Sequence, residues 1–232
     1  MDQRTIVAMG GGGFLDGDLL LDEYILGLTG TSRPRVCFLP TASGDARESI
    51  LEFYRAFSGQ SEPSDLTLFE REVQDLREFL LSQDVIYVGR GNAANMLGVW
   101  RVHGVDDILR EAWERGIVLC GTSAGASCWF EACVTDSFGP VLAPLHDGLG
   151  LLPGSFCPHY DGEAQRRPTY ERLVAAGFPA GYALDDSVAI RFIGTELEEC
   201  VTTKQYACAY WVELIGRDVV HTDLEPCLLG PG

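Results

Sequence analysis

The stretch Ile117-Val118-Leu119-Cys120-Gly121-Thr122-Ser123-Ala124-Gly125-Ala126-Ser127-Cys128 passes from an apolar run, through a G-x-S-x-G, into small residues that open a helix. This is the signature of a buried strand turning sharply into a helix. A serine held at such a turn needs small residues two positions to either side, where the two backbones pass closely, and its Oγ then projects from the carboxyl end of the sheet. Gly121 and Gly125 meet that need. The same turn leaves the first N–H groups of the helix, beginning with Ala124, without intrahelical partners beside the place where an oxyanion would form. Ser123 is therefore the candidate nucleophile.

Outward from this elbow, short apolar stretches at 5–9, 36–39, 66–69, 85–88 and 117–120 alternate with segments of helical periodicity at 49–57, 72–81, 92–99 and 105–115. Continuous apolar strands alternating with amphipathic helices imply a mostly parallel, doubly wound sheet with helices on both faces, a three-layer α/β architecture. Beyond residue 180 the pattern changes to short alternating segments at 188–193, 200–203, 207–214 and 219–221, read as an antiparallel extension of the sheet near the C-terminus. With 232 residues and 46% apolar side chains, the chain has the size of a single domain spanning 1–232.

Composition excludes several functions. The longest apolar runs fall far short of the roughly 20 residues of a membrane span, and Met1-Asp2-Gln3-Arg4 leads straight into a strand-like segment, so a soluble, cytoplasmic protein is expected. A net charge of −17 without a basic stripe disfavours nucleic acid. The eight cysteines lie in apolar company without a CxxC pair, which reads as reduced, mostly buried thiols rather than disulfides or zinc ligands.

A serine hydroxyl needs a base, and the histidines are His103, His146, His159 and His221. His103 follows a helix and His221 lies in a polar C-terminal stretch. His146 sits in a Gly/Pro-flanked loop. His159, in Cys157-Pro158-His159-Tyr160-Asp161-Gly162, lies in a turn-forming segment that can present its ring at the sheet end, and it is the candidate base. The acid that orients it is assigned first to Asp136, in Thr135-Asp136-Ser137, with Asp161, Asp185 and Asp186 as rivals.

Two glycine clusters follow strands. Gly10-Gly11-Gly12-Gly13 fails the dinucleotide spacing because Leu15 occupies the sixth position, so its glycines are read as letting the backbone run close to the reaction centre. Gly89-Arg90-Gly91 precedes Asn92, a helix N-cap candidate, and its backbone joins Ala124 as a source of oxyanion donors.

Taken together, these motifs resemble the peptidase E and cyanophycinase family of serine peptidases, which share a fold with the class I glutamine amidotransferases. The likeness runs through Gly10-Gly11-Gly12-Gly13, Phe38-Leu39-Pro40-Thr41-Ala42-Ser43, Gly89-Arg90-Gly91-Asn92, the elbow, Gly148-Leu149-Gly150 and Pro158-His159-Tyr160. The resemblance implies an acyl-forming Ser123, a base at His159 and a third member at Asp136. It also implies short peptide substrates, including dipeptides with N-terminal aspartate, and needs no cofactor or metal.

One departure matters. The family's Gly-Gly-Gly-Asn-Thr is here Gly89-Arg90-Gly91-Asn92-Ala93. Arg90, Arg166 and Arg167 are candidate anchors for a substrate carboxylate, with Tyr160 beside them. A side-chain carboxylate would make the enzyme an aspartyl dipeptidase, a free C-terminus a carboxypeptidase. An esterase or amidase could use the same residues, and a non-catalytic homologue would only bind. The expected partner is a short peptide, and a homodimer is compatible with the sequence.

Overall fold

The computed structural model describes residues 3–230; Met1 and Asp2, part of the N-terminal segment read above, lie outside them. The chain begins with β1 (Thr5–Met9), α1 (Leu20–Gly27), β2 (Arg35–Leu39), α2 (Arg47–Phe57) and β3 (Glu62–Asp65). It continues through α3 (Leu76–Leu81), β4 (Val85–Val88), α4 (Ala93–His103), α5 (Val105–Glu114), β5 (Val118–Thr122) and α6 (Ala124–Ser127). Asp75 and Asn92 cap α3 and α4, their side chains accepting from the Glu78 and Asn95 N–H groups.

Strands β3, β2, β4, β5 and β1 pair in parallel, in that spatial order. Both faces are buried, so successive residues of one strand enter different cores. Ile6 and Ala8 pack with Leu80, Trp100 and Leu109 under α3, α4 and α5, whereas Val7 and Met9 face Leu21, Ile25, Phe53 and Phe57 of α1 and α2. That division is the three-layer arrangement.

The antiparallel extension is present only in part: 188–193 and 200–203 join the first sheet, whereas 207–214 and 219–221 pair instead within a second sheet. Strand β10 (Val188–Ile193) pairs antiparallel with β1, and β11 (Glu196–Thr202) with β10. One apolar stretch is misplaced by the sequence reading: 66–69 lies just past β3, whose own residues Glu62-Pro63-Ser64-Asp65 are polar. An edge strand paired only with β2 tolerates Pro63 and needs no apolar run.

A second sheet was not anticipated. After α6, a single turn, the chain leaves as β6 (Phe130–Thr135) and adds β7 (Ala143–Leu145) and β8 (Leu152–Cys157). Helix α7 (Arg166–Ala175) leads to β9 (Gly181–Leu184); β12 (Ala209–Ile215) and β13 (Asp218–Asp223) complete a six-stranded sheet ordered β13-β12-β9-β8-β6-β7. Its Phe130, Leu152 and Phe156 share a core with Ile190 and Phe192 of the first sheet. All eight cysteines are free thiols, six of them buried. Among the described residues no helix is long and apolar enough to cross a membrane.

Candidate active site

Ser123 stands between β5 and α6 with φ 55° and ψ −112°, a conformation that non-glycine residues rarely adopt. The flanking glycines are required by contact. A Cβ on Gly121 would lie 2.3 Å from the Gly125 carbonyl oxygen, and one on Gly125 would lie 2.2 Å from that of Val88. The half-buried Ser123 thus projects at the carboxyl ends of β1, β4 and β5, where ligands of parallel α/β sheets bind.

His159 arrives from the second sheet, two residues past β8, with φ 54°. Its Nε2 lies 2.8 Å from Ser123 Oγ and its Nδ1 lies 2.6 Å from Asp186 Oδ1. Asp186 sits where the chain crosses from β9 of the second sheet to β10 of the first, and its N–H donates to Asp161 Oδ1 at 2.9 Å. The hydrogen bond from His159 holds the Asp186 carboxyl below the usual carboxylate range, against partial burial; the charges of His159, Lys204 and Arg90 add to the effect. Ser123, His159 and Asp186 therefore form one unbroken hydrogen-bonded chain.

The acid in contact with His159 is Asp186 and not Asp136. The expectation placed Asp136, in the Thr135-Asp136 pair, just past the elbow helix. Because α6 is one turn, β6 carries Asp136 away to an exposed position at its end, while both ring nitrogens of His159 are engaged elsewhere. Asp185 is turned aside as well. Its Oδ2 accepts the Cys208 N–H at 2.8 Å, and burial raises its carboxyl pKa.

The first glycine cluster lies beneath this chain. A Cβ on Gly11 would fall 2.0 Å from Asp186 Oδ1 and 3.0 Å from His159 Cε1, so only glycine lets β1 end there. The second cluster touches the elbow, with the Gly89 carbonyl oxygen 2.9 Å from the position of a Gly125 Cβ. Gly89 is not free as an oxyanion donor, since its N–H is bonded to the Leu39 carbonyl at 3.1 Å. The N–H groups of Arg90, Gly91 and Ala124 have no acceptor among the described residues.

Three expected substrate contacts fall elsewhere. Arg166 is 4% exposed and is consumed by the Val134 carbonyl at 3.0 Å and Glu163 at 2.7 Å. Tyr160 is 3% exposed, with its hydroxyl 2.8 Å from His221 Nε2. Arg167 lies over the Tyr160 and Tyr210 rings at 5.0 and 5.2 Å and pairs with Glu171. These residues fasten α7 to the second sheet, and Trp129 and Phe130 are wholly buried in the core. Arg90 alone of the expected cations stands at the sheet end with Ser123. A groove of about 540 Å³ lined by Gln3, Thr5, Gln83, Asp84 and Arg115 opens at the amino ends of the strands and is no part of this site.

The profile of peptidase family S51 matches residues 6–200, from β1 through the elbow and His159 to β11. The chain belongs to peptidase family S51. Within the S51 relatives, the Bacillus subtilis (strain 168) protein named uncharacterized peptidase YgaJ is 48% identical over 231 residues, covering 98% of this chain and all of that one. Peptidase E of Actinobacillus pleuropneumoniae serotype 3 (strain JL03) is 24% identical over 172 residues, 70% of this chain and 73% of the relative. The fold is shared with a peptidase from an acI-B1 Actinobacterium, with a TM-score of 0.67 at 18% identity over 97% of this chain and 95% of that one. A Listeria monocytogenes EGD-e structure has a TM-score of 0.62 at 19% identity, over 87% of this chain and all of that one. With this S51 membership, the mostly parallel sheet is the class I glutamine amidotransferase-like fold.

Proposed function

We propose that this chain is a serine peptidase of short peptides, dipeptides with N-terminal aspartate among them, working through an acyl-enzyme on Ser123. The observation that carries the reading is the continuous Ser123–His159–Asp186 hydrogen-bonded chain on a strained elbow. Ser123 Oγ attacks the scissile carbonyl while His159 Nε2 takes its proton and returns it to the leaving amine. Asp186 accepts from Nδ1, which leaves Nε2 as the basic nitrogen, and stabilises the imidazolium as it forms. Water then repeats the sequence on the acyl-enzyme. The oxyanion is held by the Ala124 N–H together with N–H groups of Arg90 and Gly91.

The test is hydrolysis of Asp-X, Glu-X, Gly-X and Ala-X dipeptides by the wild-type protein and by Ser123→Ala, with fluorophosphonate labelling of both. Cleavage and labelling are expected in the wild type alone. Undiminished turnover by a folded Ser123→Ala protein would refute the mechanism.

A further inference from the structure

Arg90 is the one side chain on a loop whose other members cannot carry any. A Cβ on Gly89 would press on the Phe38 ring at 2.9 Å, and one on Gly91 would meet the Ala42 carbonyl oxygen at 2.2 Å. Backbone bonds from Gly89 to Leu39 and from Asn92 to Ala42 fix the loop further. Its main chain is rigid, so the long Arg90 side chain is the part that can move. Arg90 Nη1 lies 2.7 Å from Asp16 Oδ1 and Nη2 donates to the Leu15 carbonyl at 3.0 Å. Asp16 is itself held in place, because its Oδ2 accepts the Gly12 N–H at 2.9 Å. Both side chains of the pair are half-exposed.

Arg90 thus reaches from the loop beside the elbow to the Leu15-Asp16 turn that follows the glycine cluster, and it already holds a carboxylate. That carboxylate belongs to the protein. The surroundings are mostly acidic, with Asp16, Asp161, Asp185 and Asp186 at this end of a chain of net charge −17 and Lys204 the other cation whose charge acts on Asp186. An anionic substrate group would be repelled unless a cation within contact distance received it.

We infer that Arg90 is the specificity cation for a substrate carboxylate, and that Asp16 is a built-in stand-in for that carboxylate which the substrate must displace. The inference rests on Ser123 being the reaction centre. It makes Asp16 an intramolecular competitor: only the fraction of molecules with Arg90 released binds the acidic ligand at full strength. A half-exposed ion pair is worth up to about 1 kcal/mol, so removing the competitor tightens acidic ligands by roughly two- to sixfold. Removing the cation weakens them by about tenfold relative to neutral isosteres.

Binding measured calorimetrically on the Ser123→Ala protein tests this independently of turnover, so a failure of the peptidase mechanism is read separately. Asp-Leu against Asn-Leu probes a side-chain carboxylate, and Leu-Leu against leucyl-leucinamide probes a C-terminal one. In one of these pairs the acid should bind more tightly than its amide. Arg90→Gln should abolish that preference, and Arg90→Lys should keep part of it. Asp16→Asn retains an acceptor for the Gly12 N–H and should strengthen the acid two- to sixfold, with no such gain in the Arg90→Gln background. Equal or undetectable binding of acid and amide in both pairs overturns the proposal. So does an Asp16→Asn gain that persists without Arg90.

Discussion

Asp186→Asn, set against Asp136→Asn, is the substitution pair that separates the acid in contact from the acid expected. An amide at 186 is nearly isosteric, so the Asp161 contact to its N–H and the glycine beneath it are undisturbed, and only the acceptor and charge facing His159 Nδ1 change. Where the acid of a Ser-His-Asp triad is buried, this change lowers kcat about 10⁴-fold, because the imidazole is left in the wrong tautomer. The Asp186 side chain is 35% exposed and His159 18%, so water supplies part of the lost acceptor. A loss of about 10²- to 10³-fold, or roughly 3–4 kcal/mol in the barrier, is expected for Asp186→Asn. Asp136 is exposed and bonds through its backbone carbonyl to Gly139, so Asp136→Asn should stay within about twofold of wild type. The assay is steady-state hydrolysis of an accepted dipeptide together with the rate of fluorophosphonate labelling, on proteins with matching circular dichroism. A hundredfold loss in Asp136→Asn beside a near-normal Asp186→Asn would refute the assignment.

Three further outcomes are expected. Gly11→Ala puts a methyl into the space of Asp186 Oδ1, so kcat should fall by about 10²-fold through misplacement of the pair, with thermal unfolding lowered by only a few degrees. Arg166→Met leaves the Val134 carbonyl and Glu163 unpaired, so urea unfolding should show about 2 kcal/mol of lost stability while the acidic-to-neutral substrate preference is unchanged. Asp22 is 1% exposed without a well-formed hydrogen bond, and burial raises its carboxyl to about 7, against a weaker pull from Tyr87 and Phe14. Between about pH 4 and 7 the folded chain keeps a proton the unfolded chain has lost, so stability should fall as pH rises through that window and level off above it. Asp22→Asn should flatten this slope and raise stability at pH 8, by roughly 4 kcal/mol at most, as read from unfolding at pH 5 and 8.

The elbow, four of the five parallel strands and His159 were legible because each is written locally: an apolar run, two glycines around a serine, a proline before a histidine. Asp186 was harder to find. Leu184-Asp185-Asp186-Ser187 reads as an ordinary polar turn between strands, and nothing local says that the crossing from one sheet to the other happens there. The second sheet was missed for a related reason. Strand β8 contains Pro153 and Gly154, and β7 contains Pro144, so neither gives the apolar alternation that marks a strand. The one signal that could have favoured Asp186 is Gly10-Gly11-Gly12-Gly13, because a run of glycines at the end of a buried strand announces that other chain segments press on it. Which segments press there is a tertiary fact.

That pressing explains how three unfavourable backbone conformations coexist within one site. Ser123, His159 and Ser187, the last adjoining Asp186, all have positive φ, each costing about 1–3 kcal/mol. Each is anchored by its own N–H to successive carbonyls at the end of β1. Ser123 donates to Met9 at 3.1 Å, His159 to Gly10 at 3.2 Å and Ser187 to Gly11 at 3.0 Å. The serine comes from the first sheet, the histidine from the second and the aspartate from the crossing between them, so no shorter-range contact could set their relative positions. A side chain at Gly10 would meet the Asp185 carbonyl oxygen at 2.3 Å, and one at Gly11 would meet Asp186 itself. The glycines therefore serve the site by being narrow as much as by being flexible: they let one strand end act as the common ruler against which Ser123, His159 and Asp186 are spaced.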